Sequence, residues 1–394
     1  MDIQQQVERM SRLSKLDSVW RYLDEVLTDI VSEAILIQQI PAPTFHELVR
    51  ANHVLSRLGA CGLSDTGIDH LYNAFGRLAG LDPEAPALLI SAHTDTVFDS
   101  KTNLTVRHEE NGRIYGPGIG DNSLGVAGLI ALADILRQFR IQPQRDIWFL
   151  ANSREEGLGD LAGIRAFYEK HAEQLGAAIV LEGMALGRVY RAGIAVRRLH
   201  VTCHAEGGHS WQHFGRPSAI HSLLRLGARL TEIKPPEQPR TTYNIGLIEG
   251  GLSVNSLAPE AGFYLDMRSE DPGALATLEA EVMRIIEQCQ NEPEVRFGVE
   301  VVGDRPAGAI APDHELVRGA LAALRAVNIE PALEAGSTDG NLLLAMGVPS
   351  VTIGLTQGRN AHREDEYIDP GPLAQGMRQL VLLTLAAAGW EPPA

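Results

Sequence analysis

The stretch Ala87-Leu88-Leu89-Ile90-Ser91-Ala92-His93-Thr94-Asp95-Thr96-Val97 organises the chain. It begins as a short apolar run of the kind a buried strand shows. It then breaks into His93-Thr94-Asp95, an imidazole and a carboxylate two residues apart. If the strand reaches His93, residues i and i+2 point the same way. One can bind a metal ion while the other braces it. Neutral imidazole is the commonest metal ligand, and a nearby carboxylate fixes its tautomer and raises its basicity. A histidine at a strand end serves equally well as ordinary structure. What separates the two readings is that three more strand ends finish in the same kind of residue.

Before this stretch, Trp20, Leu23, Val26, Leu27, Ile30, Val31 and Ala34 fall at helical spacing, and Pro41 and Pro43 stop that helix. A second helix is expected over His46 to Leu58. After it, the turn Gly116-Pro117-Gly118-Ile119-Gly120-Asp121 opens a long apolar helix, about Ser123 to Phe139. Arg145 to Ala151 reads as a strand running into Ser153-Arg154-Glu155-Glu156-Gly157. A helix near Leu161 to Leu175 and a strand from Ala177 to Leu181, ending at Glu182, follow. Strands alternating with helices imply a mainly parallel sheet covered on both faces.

From about Ala195 the order becomes strand, helix, strand, strand, helix, strand, ending near Val302, which is the ferredoxin-like pattern. The earlier style then resumes with a helix near His314 to Val327, the loop Gly336-Ser337-Thr338-Asp339-Gly340-Asn341, and a strand from Pro349 to Leu355. That strand is followed by Arg359-Asn360-Ala361-His362, and a helix from Pro372 to Ala388 closes the order. The expected fold class is α/β: a mainly parallel sheet with helices on both faces, plus an inserted α+β domain. The boundaries are 1–194 and 304–394 for the two segments of the catalytic domain and 195–303 for the insert.

The chain has 394 residues, with 34 Lys plus Arg against 50 Asp plus Glu, a net charge of −16. Nothing offsets repulsion from phosphate, which argues against a nucleic-acid partner. Three cysteines, Cys61, Cys203 and Cys289, stand far apart. That sparse, odd count suits a reducing compartment. The beginning, MDIQQQVERM, has no apolar signal core, and no run is read as reaching the length of a membrane span. The expectation is a cytoplasmic protein with no membrane partner.

His93, Glu155 with Glu156, Glu182 and His362 each come just past the carboxyl end of an expected strand. In an open α/β sheet those ends share one edge, where ligands bind. Asp121 joins them from the turn that feeds a helix. Two histidines and several carboxylates in one crevice suit Zn²⁺, with Co²⁺ or Mn²⁺ as substitutes. So many carboxylates point to two ions, about 3.5–4 Å apart, sharing a bridging ligand. Each residue has an ordinary alternative: a helix cap for Asp121, a solvated pair for Glu155 and Glu156, a turn for Glu182, a surface histidine for His362.

The succession HTDTV, GPGIGDN, the EEG pair, LEG, GGHS and a distal NAH, from Ser91 to His362, resembles one family in order and spacing. These are the dinuclear-zinc exopeptidases and deacylases, among them glutamate carboxypeptidase, peptidase T, aminoacylases, acetylornithine deacetylase and succinyl-diaminopimelate desuccinylase. The resemblance implies that His93 and Glu182 hold one zinc, Glu156 and His362 the other, and that Asp121 bridges them. It makes Glu155 the general base toward metal-activated water, and Asp95 the residue that orients His93. It makes the peptide bond after Asp121 a cis bond. His209, in Gly207-Gly208-His209-Ser210, becomes an oxyanion donor that reaches a partner subunit, so the insert is a dimerisation domain and the protein a homodimer. Asn255 and Arg268 match substrate-binding positions, Arg268 as a partner for a carboxylate. Ser337 and Asp339 are further substrate-side candidates.

The expected reaction is hydrolysis of an amide bond in a small peptide or an N-acyl amino acid. HTDTV and the GSTDGN loop resemble peptidase T-like aminopeptidases, which favours an exopeptidase. Glu182 resembles aminoacylases and the desuccinylase, since the peptidases usually carry aspartate there. Asn122 is a second departure, because many relatives have aspartate. A catalytically silent binding protein on the same scaffold is the rival from another class. The glycine turn read as a phosphate cradle is a poor third, because it lacks both the Lys-Ser/Thr of a P-loop and the GxGxxG spacing.

Overall fold

The structure, a computed structural model, describes residues 2–290 and 294–392. The strand Ala87–His93 is buried at every position. Leu88, Ile90 and Ala92 pack into one cluster, with Leu129, Leu132 and Leu380. Ala87 and Leu89 pack into another, with Leu150, Phe167 and Leu342. Both faces are covered, which is why the strand reads as a continuous apolar run rather than an alternating one.

Chain contacts divide the protein into two compact units, 1–193 with 308–394, and 194–307. In the first unit, nine strands of the described residues form one sheet. At its centre Ile147–Asn152, Ala87–His93, Leu175–Glu182 and Ser350–Gly354 run parallel as successive neighbours. The register pairs His93 with Asn152, and Glu182 with Gly354. The carboxyl ends of four strands therefore share one edge. Helices Asp17–Gln38, Leu48–Ala60, Leu124–Gln138, Glu315–Ala326 and Leu373–Ala387 cover one face. Ala162–His171 and Gly340–Ala345 cover the other.

The flanks of this sheet were not expected. Ser64–Ile68 and Ala74–Leu78 add antiparallel to the Ile147–Asn152 side. Arg188–Gly193 lies antiparallel beside Ser350–Gly354, with Gly308–Ala309 and Ala332–Gly336 beyond it. These strands are short, and Ser64–Ile68 and Ala332–Gly336 are largely exposed. A peripheral strand carries polar residues because only part of its surface is covered, so no hydrophobic period marks it.

The helical stretch Ile119–Gln138 is long and apolar enough, by length and composition, to cross a membrane, with a mean hydropathy of 1.4. Yet 83% of its apolar window is buried inside the protein. Its composition answers to a core position between the sheet and helix Asp17–Gln38.

One buried cation ties the entry of the chain to the key strand. Arg50 is 2% exposed. Its Nη1 donates to the Thr94 carbonyl at 2.7 Å, and Nε and Nη2 donate to the Ile40 carbonyl at 3.0 and 2.7 Å. Burial pulls its pKa down to about 10, with the charges of Asp95 and Glu47 acting the other way. Arg50 thus holds the backbone between His93 and Asp95 against the segment that ends the first long helix.

The second unit contains Ala195–His204, helix Ala219–Leu230, Thr241–Gly250, Glu260–Ser269, helix Pro272–Cys289 and Arg296–Arg305. Its four strands are antiparallel, and in chain order the second, third, first and fourth lie side by side. That order and the two helices over one core are the ferredoxin-like arrangement. The last strand runs to Arg305, so the unit closes at residue 307, later than the expected 303.

Candidate metal centre

His93 is the last residue of its strand, and its Nε2 points at Asp121, with Oδ1 at 3.1 Å. The other oxygen of Asp121, Oδ2, lies 3.2 Å from Nε2 of His362. One carboxylate therefore faces two imidazoles, one per oxygen. Glu182 Oε2 is 3.9 Å from His93 Nε2, and Glu156 Oε1 is 3.0 Å from His362 Nε2. Candidate ligand atoms of His93, Asp121 and Glu182 lie within 4.8 Å of one another, and so do those of Asp121, Glu156 and His362. A third such group is His93, Glu155 and Glu156. The peptide bond Asp121-Asn122 is cis.

Asp95 is the hub beneath these groups. It is fully buried, and its Oδ1 and Oδ2 each accept a backbone amide, from Glu155 and Glu156, at 2.9 Å. Thr44 Oγ1 donates to Oδ2 at 2.8 Å. His93 Nδ1 lies 3.1 Å from the Asp95 carbonyl oxygen and 3.5 Å from Oδ1. Asp95 thus braces His93 mainly through its main chain, while its carboxylate fixes the backbone of the glutamate pair.

The charges of the polypeptide are poised against one another. Burial alone would favour neutral His93, but the Asp121 and Asp95 carboxylates outweigh it and raise its pKa well above normal. Half-exposed His362 is pushed up to about 11 by Asp121 and Glu156. Asp121 is held below the ordinary carboxylate range, against burial, by His362 and His93. Glu156 is pushed up to about 7, by burial first and then by the Asp121 charge, with His362 opposing. Glu182 is raised well above its usual value by burial, with His93 opposing and Asp121 adding to the rise.

The departure at Asn122 has a structural use. Its Nδ2 donates to the Leu181 carbonyl at 2.8 Å, and its Oδ1 accepts the Gly183 amide at 3.0 Å. Those two groups flank Glu182, so one amide side chain grips the strand end on either side of it. An ionised aspartate has no donor for the Leu181 carbonyl.

Asp339 is 1% exposed, and its Oδ2 accepts Asn152 Nδ2 at 2.7 Å. Burial first, then the Glu155 charge, push it up to about 7. Its present partner is thus the side chain next to His93 in the sheet register. Ser337 is half-buried in the preceding turn.

Thr44, Asn152 and Glu366 were not anticipated. Glu366 is fully buried, yet it stands in Arg363-Glu364-Asp365-Glu366, a charge run that reads as a solvated face.

His209, Asn255 and Arg268 belong to the second unit. Gly208–His209 pairs with Ser256–Leu257, and the Ser210 amide donates to the Asn255 carbonyl at 3.0 Å, so His209 and Asn255 sit on one zipped pair of loops. Nδ1 of His209 accepts the Trp211 amide at 3.2 Å, which makes Nε2 the protonated nitrogen of the neutral ring. Arg268 Nε pairs with Asp266 Oδ2 at 2.6 Å.

The residues present fit divalent cations. The donors are imidazole nitrogens and carboxylate oxygens, the set that Zn²⁺, Co²⁺ and Mn²⁺ accept. His93, Glu155 and Glu156 are 2%, 5% and 6% exposed. Four acidic groups face two imidazoles there, and desolvated like charges call for added positive charge. Asp121, common to two of the three groups, has the geometry of a bridge.

The chain resembles known proteins over most of its length. The sequence pattern of Peptidase family M20/M25/M40 matches residues 89–386. The chain is 25% identical over 353 residues to succinyl-diaminopimelate desuccinylase of Corynebacterium glutamicum, covering 86% of this chain and 92% of that one. It is 25% identical over 283 residues to peptidase T of Aeromonas salmonicida, covering 69% and 66%. The fold is similar to that of the di-peptidase Dug1p of Saccharomyces cerevisiae, with a TM-score of 0.78 at 15% identity over 95% of this chain and 98% of that one.

Proposed function

The chain belongs to Peptidase family M20/M25/M40, metal-dependent hydrolases of peptide and amide bonds, and from that premise we propose that it is an exopeptidase acting on small peptides. The observation that carries this reading is the pair Glu155-Glu156, both amides fixed on Asp95, beside a carboxylate shared by two histidines.

His93, Asp121 and Glu182 would hold one divalent cation and Glu156, Asp121 and His362 a second, two zinc ions being the expected pair. When bound, the cations supply Lewis acidity toward the scissile carbonyl and lower the pKa of a water to about 7. Glu155 accepts the proton of the attacking water at its carboxylate and returns it to the departing nitrogen. Asp95 keeps that base in place through the Glu155 amide. Asn122 and Arg50 hold the backbone at Glu182 and Thr94, so that little reorganisation accompanies the reaction. By the same reading His209 would donate from Nε2 to the oxyanion developing in a partner subunit, and Asn255 and Arg268 would contact substrate. Ser337 stays a candidate substrate contact. Asp339, being buried, is better suited to steady Asn152.

Glu182 with its Asn122 grip favours a second reading, an N-acyl-amino-acid deacylase. A panel of dipeptides, tripeptides and N-acetyl, N-succinyl and N-carbamoyl amino acids, with added zinc, cobalt or manganese, separates the two. Release of a terminal residue from di- or tripeptides is expected. Activity is expected to vanish with a chelator and return with metal. Turnover of acylated amino acids alone would replace the exopeptidase by the deacylase, and no turnover of any member by metal-loaded protein would refute both.

We also infer a homodimer formed through the second unit. Thr241–Gly250 is an edge strand that exposes Leu247 and Ile248, each 61% accessible. A long apolar edge invites pairing with another copy. Ile248→Asp is expected to convert a dimer into a monomer in sedimentation velocity. A wild-type chain that sediments as a monomer would refute the assembly. The sparse set of buried cysteines, Cys61, Cys203 and Cys289, supports placing the protein in the cytoplasm.

A further inference from the structure

Four residues after His362, a carboxylate turns inward. Glu366 is fully buried. Its Oε2 accepts the Gly118 amide at 3.1 Å, and its Oε1 accepts the amides of Gly120 at 2.7 Å and Asp121 at 2.9 Å. Its own carbonyl accepts the Gly116 amide at 2.9 Å. The glycine turn thus does cradle a carboxyl group, as converging amides are built to do, and that group is a side chain of this protein.

The turn has the backbone such a cradle needs. Gly118 sits at φ 73°, and a Cβ there would approach Thr96 Cγ2 to 2.9 Å. A Cβ on Gly120 would meet Met184 Cγ at 2.3 Å. Glycine at 118 and 120 lets their amides close on the carboxyl group without these contacts. On the other side, the loop from Arg359 to Glu366 passes through left-handed backbone at Asn360 (φ 66°) and His362 (φ 65°). Arg363 N donates to the Asn360 carbonyl and Glu366 N to the Arg363 carbonyl, which ties the loop down to Glu366. One side chain therefore joins the two segments that present Asp121 and His362 to each other at 3.2 Å.

We propose that Glu366 is a positioning residue of the hydrolytic site: its buried carboxylate fixes the Gly118–Asp121 turn, and with it the bridging carboxylate, against the loop that carries His362. This rests on the metal-dependent reading above. Three amides hold the Glu366 carboxyl, while burial and the Asp121 charge push its pKa up to about 8, and one of those amides belongs to the residue that both cation sites share. Groups that orient ligands in this way typically change metal affinity by about 10–100-fold when removed.

The test uses the full chain, titrated with Co²⁺ by calorimetry, and kcat and KM on the best substrate of the panel above. Glu366→Gln keeps the shape but turns an amino group toward at least one amide. Its Co²⁺ affinity is expected to fall about 10–100-fold, with kcat falling and KM little changed. Glu366→Ala is expected to lose more and to regain Co²⁺ affinity when formate, a carboxylate small enough for the vacated cradle, is added. Wild type in formate is the control. If the alanine variant does not fold, the isosteric glutamine variant still decides. A glutamine variant with wild-type Co²⁺ affinity and kcat, whatever its melting temperature, would overturn the proposal and leave the proposed function standing. A wild-type chain that binds no divalent cation would overturn both.

Discussion

Glu155→Gln is expected to lower kcat by about 10²–10⁴-fold, the usual worth of a positioned general base. The expectation follows from what the substitution keeps. The hydrogen bond that locates residue 155 is made by its backbone amide to Asp95 Oδ1 at 2.9 Å, and glutamine keeps it. The side chain is 5% exposed, and glutamine fills the same volume. What disappears is an oxygen able to take a proton and return it. Steady-state kinetics on the substrate found in the panel, with the metal content of the same preparation, checks it. Metal content and KM should match wild type, because Glu155 is not among the five expected ligands. A variant that retains wild-type kcat would remove Glu155 from the mechanism and move the search for a base to Asp339, which stands in its field.

The larger structural consequence is expected from Asp121→Asn. Asp121 faces both imidazoles, with Oδ1 at 3.1 Å from His93 and Oδ2 at 3.2 Å from His362. Asparagine preserves the outline, but it removes the charge and offers one acceptor oxygen instead of two. The two cation sites would no longer share a ligand. Bound metal is expected to fall from two ions per chain to at most one. Losing several kcal/mol of transition-state charge stabilisation should lower kcat/KM by about 10³-fold, at 1.36 kcal/mol per decade. Metal analysis after exhaustive dialysis reads the first effect and kinetics the second. Two tightly held ions in the variant would show that another carboxylate bridges. Glu156, already 3.0 Å from His362, is the first candidate.

Asn122 and Glu182 are coupled in the fold. Asn122 bonds Leu181 and Gly183, the neighbours of Glu182 on either side. In the sequence they are separate oddities, far apart in number. In the structure they form one unit, and an aspartate at 122 would leave the Leu181 carbonyl without its donor.

The local chain determined much by itself. Apolar runs bounded by turn residues marked Ala87–His93, Ile147–Asn152, Leu175–Glu182 and Ser350–Gly354, because strands buried on both faces must be apolar throughout. The change of grammar after residue 195 marked the insert, and helix periodicity marked the covering layers. Since strands of one parallel sheet end on one edge, the meeting of His93, Glu155, Glu156, Glu182 and His362 was legible too. Only the tertiary structure decided what holds them. Glu366 reaches back to residues 118–121, Thr44 to Asp95, Asn152 to Asp339, and Arg50 to Thr94. Each bond joins segments remote along the chain, and a single polar residue in a charge run or a turn has no period to betray its partner. Hydrophobic pattern is a property of neighbours in sequence, whereas a buried hydrogen bond is a property of neighbours in space.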